Sequence, residues 1–223
     1  MSTPKGTPQG GGPSLREDRQ AGELLLAAPL RVEALLISSA ARGALVRKTG
    51  MGPARAQACS GELAAHAGRG MLVVGFCGGL DATSVPGEVI VAEEVYAAVD
   101  EGHPEQRVRC DLSAELISRL TGLGLKVRAG NVVCVSRLAV GERRAQLLAG
   151  GAIAVDMESV WLAAGAAGRP FGVVRVVLDS PEHELLRPQA ALGALRAAQA
   201  LRRVAGALHE WTPAALNAPA QDD

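Results

Sequence analysis

Apolar residues along this chain fall in short blocks punctuated by glycine, proline or charged turns. That rhythm predicts strands alternating with helices. Residues 23–28 form a first strand block ended by Pro29. Residues 30–41 suit a helix whose apolar face carries Leu35, Leu36 and neighbouring alanines. A weaker strand follows at 44–46. The turn Gly50-Met51-Gly52-Pro53 places Pro53 well for the first turn of a helix continuing over 54–66. The stretch MLVVGFCGGLDATSVPGEVIVA, residues 71–92, then dominates. Its apolar run 71–74 reads as a buried strand stopping at a glycine turn, 75–79, and a second strand follows at 89–92, extendable to 99. Residues 100–109 read as polar and irregular. A helix capped by Asp111 or Ser113 runs to about Leu120 and closes at Gly122 and Gly124. Next come strand 125–135, helix 141–149, strand 152–155, helix 160–167, strand 171–178 and an amphipathic helix over 189–211. Such alternation is the mark of the α/β class.

Composition narrows the function classes. With 223 residues and 48% hydrophobic content the chain can bury one sizeable core. A formal net charge of zero argues against nucleic-acid and anionic-membrane partners. Only two Trp, one Tyr and two Phe are available for base stacking. The four cysteines (Cys59, Cys77, Cys110, Cys134) are scattered without metal-ligand spacing, and three lie in or beside apolar runs, so buried reduced thiols and no metal are expected. No stretch is apolar and long enough to span a membrane. Residues 1–21 read as a disordered Gly/Pro/Ser-rich tail, 22–212 as one domain and 213–223 as a frayed tail, with cytoplasmic residence expected.

Three carboxylates each end a buried strand: Asp156, Glu158 and Asp179. Ligands of open α/β sheets bind at strand carboxyl ends, so these side chains can share a crevice with the glycines of 75–79. For Asp156 the simpler role, capping the following helix, is favoured. A dinucleotide site is disfavoured: Gly50-x-Gly52 begins the pattern, but Arg55 stands at the third glycine's place. The P-loop and GxSxG patterns are absent. His66, His103, His183 and His209 are too dispersed to form a metal site.

Four segments resemble, in order, the purine nucleoside phosphorylase and methylthioadenosine/adenosylhomocysteine nucleosidase superfamily. They are Gly50–Ala56, Gly75–Asp81 with Pro86–Val91, Val155–Ser159, and Arg175–Asp179, where Leu178 replaces a frequent serine. Within it the chain looks most like the hopanoid-associated phosphorylase branch. The resemblance implies a single-domain three-layer α/β/α fold with a central mixed, partly barrel-like sheet. It implies a homo-oligomer acting on a small-molecule nucleoside without a cofactor.

Residue by residue, the resemblance makes Asp179 the acid that protonates the purine and Glu33 the base that activates water. Glu158 would bond the ribose hydroxyls and Met157 would pack on the sugar. Backbone at Cys77, Gly78 and Gly79 would line the pocket. Leu138 and Val140 would lie over the base, where the family often has an aromatic residue. Burial would keep the proton on a strand-end acid. The implied reaction is cleavage of the N-glycosidic bond of a purine nucleoside or 5′-substituted adenosine, such as adenosylhopane. Hydrolysis is favoured over phosphorolysis, for which Arg31, Arg47 and Arg55 are the candidate phosphate ligands. A non-catalytic nucleoside-binding protein or a degenerate paralogue is the alternative of another class.

Overall fold

The computed structural model describes residues 24–66, 68–99, 106–182, 190–209 and 211–214. Apart from residues 213–214, the expected tails lie outside these ranges, as do His103 and His183. Eight strands form one mixed sheet: β1 (Leu24–Ala28), β2 (Leu45–Lys48), β3 (Gly70–Gly79), β4 (Val89–Ala97), β5 (Arg107–Arg109), β6 (Val127–Cys134), β7 (Ala152–Asp156) and β8 (Phe171–Asp179). The helices are α1 (Arg31–Ala40), α2 (Pro53–Ala64), α3 (Ser113–Gly122), α4 (Glu142–Ala149), α5 (Ser159–Leu162) and α6 (Ala190–His209). Strand pairing runs β3–β8–β4–β6–β7 and back to β3, closing a barrel. β1 and β2 extend the sheet from β3, and β5 pairs with β4.

The apolar alternation explains the layers. Along β1, β3 and β8, Leu24, Leu26, Leu72, Val74, Val174 and Val176 face a core completed by α1, α3 and α6. Their neighbours Leu25, Ala27, Met71, Val73, Val173 and Val177 face α2 and α5 instead. Strands buried on both faces lose the polar alternation of a half-exposed sheet and read as continuous apolar runs. The three-layer α/β/α architecture with a partly closed mixed sheet is therefore as expected.

One expectation fails where it matters most. Residues 75–79 are not a turn; β3 continues through Gly75, Phe76, Cys77, Gly78 and Gly79. Glycine breaks strands in general because it forfeits side-chain packing. Here its missing Cβ is used: a Cβ on Gly75 would lie 2.5 Å from Glu33 Oε1 and 2.8 Å from Arg175 Nη1. From Gly75 to Gly78 β8 stays paired to one edge of β3, with a register shift between Cys77 and Gly78. The opposite edge is held by β1 over Gly70–Val73 and by antiparallel β7 only at Gly78 and Gly79. Between them β3 has no strand partner on that edge among the described residues, and the sheet forks.

Smaller differences have local causes. Leu112, not Asp111 or Ser113, occupies the N-cap of α3, because the Asp111 carboxylate accepts the Phe171 N–H instead. The helix expected over 160–167 is α5 plus a 3₁₀ turn, Ala163–Ala166, ended by Ala167 at φ +50°. Within the segment expected to be irregular, Arg107–Arg109 pairs with β4 as β5.

Leu116 of α3 is fully buried against the sheet. Truncation to alanine removes transfer energy and leaves a cavity. Leu116→Ala should therefore cost about 2–5 kcal/mol in a urea titration.

Candidate active site

The fork in β3 is filled by Glu33. Its carboxylate belongs to the first turn of α1, and each oxygen accepts one backbone N–H at 2.6 Å: Oε2 from Leu30 and Oε1 from Phe76. The first bond caps α1. The second satisfies the N–H that the splayed edge would otherwise leave unpaired. Glu33 is buried, and burial raises its pKa above the ordinary carboxylate value, with Arg175 and the two N–H donors opposing.

Arg175 projects from the middle of β8, level with the bare Gly75 beside it, and is wholly buried. Its Nη2 pairs with Asp156 Oδ2 at 2.6 Å and lies 3.6 Å from Glu158 Oε2. Nε and Nη2 also donate to Ser159 Oγ at 3.2 and 2.9 Å. Burial alone would lower the Arg175 pKa, but Asp156, Glu158 and Glu33 together hold it above its ordinary value. Asp156 has both roles weighed for it. Its Oδ1 accepts the N–H groups of Glu158 and Ser159 at the start of α5, and its Oδ2 takes the guanidinium and the Ser159 hydroxyl. Glu158 Oε1 accepts the Gly52 N–H at 2.9 Å, tying the turn after β2 to the site. Burial, opposed by Arg175 and reinforced by Asp156, pushes the Glu158 carboxyl up to about 7.

A second polar centre lies three residues further along β3, roughly 10 Å of strand. Asp179 ends β8, and its Oδ2 is 2.5 Å from Arg144 Nη2. Arg144 is buried although it belongs to the largely polar α4, and it also donates to the carbonyls of Ala139 (2.9 Å) and Gly79 (3.3 Å). Gly78 separates this pair from the fork; a Cβ there would lie 3.3 Å from both Arg144 Nη2 and Asp179 Oδ1. The expected acid is thus held by a guanidinium, not by burial alone. Gly78, Leu138, Val155, Met157, Arg144 and Asp179 line a narrow cleft here. A larger cavity of about 400 Å³ around Tyr96, Val99 and Gln146 has no carboxylate among its described lining residues.

The phosphorylase superfamily sequence profile matches residues 30–206, which span both polar centres. The chain belongs to the phosphorylase superfamily. No curated protein sequence matches it. Solved structures of similar fold include futalosine hydrolase of Helicobacter pylori strain 26695 (TM-score 0.70, 15% identity, 85% of this chain and 98% of that one). The 5′-methylthioadenosine/S-adenosylhomocysteine nucleosidase of Helicobacter pylori has TM-score 0.66 and 15% identity over 84% and 94%. S-adenosylhomocysteine nucleosidase from Streptococcus pyogenes has TM-score 0.67 and 18% identity over 82% and 96%. At these identities the likeness is one of fold.

Within this superfamily member the expected site residues divide into groups. Glu33 and Glu158 meet around Arg175. Asp179, Gly78, Met157 and Leu138 meet at the cleft, whereas Val140 is exposed and outside its lining. Gly79 contributes a carbonyl to Arg144. Cys77 turns its side chain into the core on the α2/α5 face, where burial pushes its thiol up. Phe76 packs on the opposite core. Two buried arginines had been given no role. Arg175 left a signal, a lone charge in the apolar run FGVVRVVL, which must be paired if buried. Arg144 left none, since it sits among polar residues of a short helix.

Replacing Arg175 strands carboxylates without their counter-charge, so Arg175→Met should cost about 3–5 kcal/mol in denaturant unfolding. Glu158 binds its proton more tightly folded than unfolded. Its stabilising contribution is complete below about pH 4.5 and is lost as pH rises through about 7. Wild-type stability should therefore decline across that window by on the order of 2–3 kcal/mol relative to Glu158→Gln, in urea titrations at stepped pH.

Proposed function

We propose that this chain hydrolyses the N-glycosidic bond of a purine nucleoside. The observation carrying the reading is the pair of carboxyl groups, Glu33 and Asp179, stationed at two ends of one glycine-rich segment of β3, with Glu158 beside Glu33. A nucleoside laid along Gly75–Gly78 would put its ribose at the Arg175 cluster and its base in the cleft by Asp179. As the C1′–N9 bond breaks, its electron pair leaves on the purine, and Asp179 gives a proton to N7. Water bonds to C1′ and passes its proton to Glu33. Among the described residues each Glu33 oxygen accepts one N–H bond, so lone pairs remain for the water. Glu158 would accept from ribose hydroxyls, and carboxylates near the sugar stabilise the positive charge of an oxocarbenium-like transition state.

Water is favoured over phosphate on electrostatic grounds. Glu33, Asp156 and Glu158 surround one guanidinium, leaving no cationic surplus for a phosphate dianion. The Phe76 N–H, a potential anion donor, is bonded to Glu33. Arg31, Arg47 and Arg55 are exposed. A bulky apolar 5′ group, as in the hopanoid-associated branch, would meet the exposed Met51 next to Gly52.

The test is base release from 5′-substituted adenosines and inosines with and without phosphate. Release should be equal in both; strict phosphate dependence would establish phosphorolysis instead. Glu33→Gln and Asp179→Asn should each lower turnover by roughly 10²–10⁴-fold, and near-normal rates would remove the residue concerned from its role.

A further inference from the structure

Asp179 does not face the cleft alone, and its partner changes which base edge the cleft can read. The guanidinium of Arg144 is buried, and three of its donors are already used: Nε on the Ala139 carbonyl, Nη1 on the Gly79 carbonyl and Nη2 on Asp179 Oδ2. Guanidinium carries five N–H groups. Among the described residues, one N–H on Nη1 and one on Nη2 have no acceptor. Gly78 is the residue whose bare Cα looks onto this gap, with Arg144 Nη2 and Asp179 Oδ1 each 3.3 Å from where its Cβ would be. The cleft wall therefore presents a carboxyl oxygen and a fixed cationic N–H side by side.

Purines differ on the edge that such a wall would meet. A 6-oxopurine shows two acceptors there, N7 and O6, whereas adenine shows the N7 acceptor and the 6-amino donor. The Asp179 carboxyl proton can go to N7 in either case. At position 6 a carbonyl completes the remaining N–H on Arg144 Nη2, the nitrogen beside Gly78, while an amino group sets donor against donor. Asp179 Oδ2 and the Ala139 and Gly79 carbonyls already accept from the guanidinium, so an amine that takes a second lone pair on any of them still leaves the Arg144 N–H without an acceptor. A buried donor left unmade is costly, which makes the mismatch a device of exclusion as well as preference.

We infer that Arg144 is a specificity-determining residue that selects nucleosides of 6-oxopurines over those of adenine. This rests on the reading of the cleft as the base site, and it departs from the adenine leaving group implied by the hopanoid-associated resemblance. The preference belongs to binding as well as to cleavage, so it can be measured without turnover.

Calorimetric titration of the full chain with hypoxanthine and with adenine gives the primary readout. Hypoxanthine should bind about 10–100-fold more tightly, the worth of one charge-assisted hydrogen bond. Arg144→Met should bring the two affinities within a few-fold of each other. If the lone substitution fails to fold, Arg144→Met combined with Asp179→Asn avoids a stranded carboxylate, and the same levelling is expected. Equal or tighter adenine binding by the wild-type chain, no binding of either base, or an unchanged ratio in the variants overturns the inference. In parallel, kcat/KM for 5′-methylthioinosine should exceed that for 5′-methylthioadenosine. Selective hypoxanthine binding with no cleavage of either nucleoside would overturn the hydrolase reading while leaving the role of Arg144 standing.

Discussion

A single guanidinium buried in an apolar strand governs the chemistry this fold can hold. Arg175 has no solvent to fall back on, and an unpaired charge at that depth would be prohibitive. Asp156, Glu158 and Glu33 are in turn carboxyl groups that could not gather without it. The dependence is mutual and spans four elements: α1 supplies Glu33, β7 supplies Asp156, the start of α5 supplies Glu158 and Ser159, and β8 supplies Arg175. Such clusters are poor contributors to stability compared with apolar packing. On the proposed reading, their presence in the middle of an otherwise well-packed α/β core is a place where stability yields to function.

The backbone accommodates the cluster by a fork in the sheet. β3 is shared by β1, β8 and β7, and the two neighbours on one edge do not meet. An open stretch of strand edge exposes N–H groups that need partners. Glu33 fills that need at Phe76 and simultaneously caps α1 through Leu30. The bond to Leu30 fixes the carboxylate on α1 and the bond to Phe76 fixes it on β3, so its place is set by the docking of the two elements. The same logic repeats at Gly52, whose N–H ties the turn before α2 to Glu158. Backbone donors thus hold the carboxylates from one side while Arg175 neutralises them from the other.

Along β3 the two polar centres have different characters. The Arg175 centre gathers three carboxyl groups, one of them raised to about 7, and suits a developing cation and a neutral nucleophile. The Asp179–Arg144 centre pairs one carboxylate with one guanidinium across Gly78 from it. On the proposed reading, sugar chemistry and base recognition are divided between these centres, and the glycines of β3 form the floor between them.

Much of this was legible in the chain alone. The α/β class, nearly every strand, and the inclusion of Glu158, Met157 and Asp179 in one region follow from apolar blocks, strand-end carboxylates and four ordered segments of family likeness, while Glu33, outside those segments, came only from its place past the first strand. These are local features, carried by residue type and short-range order. The tertiary structure decided the rest. Residues 75–79 look like a turn because glycine is locally a strand breaker; only the side chains of Glu33 and Arg175, 42 positions behind and 100 ahead of Gly75, make bare glycine in a strand worthwhile. Asp111 looks like a cap until the Phe171 N–H, from a strand 60 residues away, claims it. Arg144 looks like a surface residue of a polar helix until α4 is docked on β7 and its charge meets Asp179 at the end of β8. In each case the deciding partner is distant in sequence, and the electrostatic or steric energy linking the two exists only once the chain has closed.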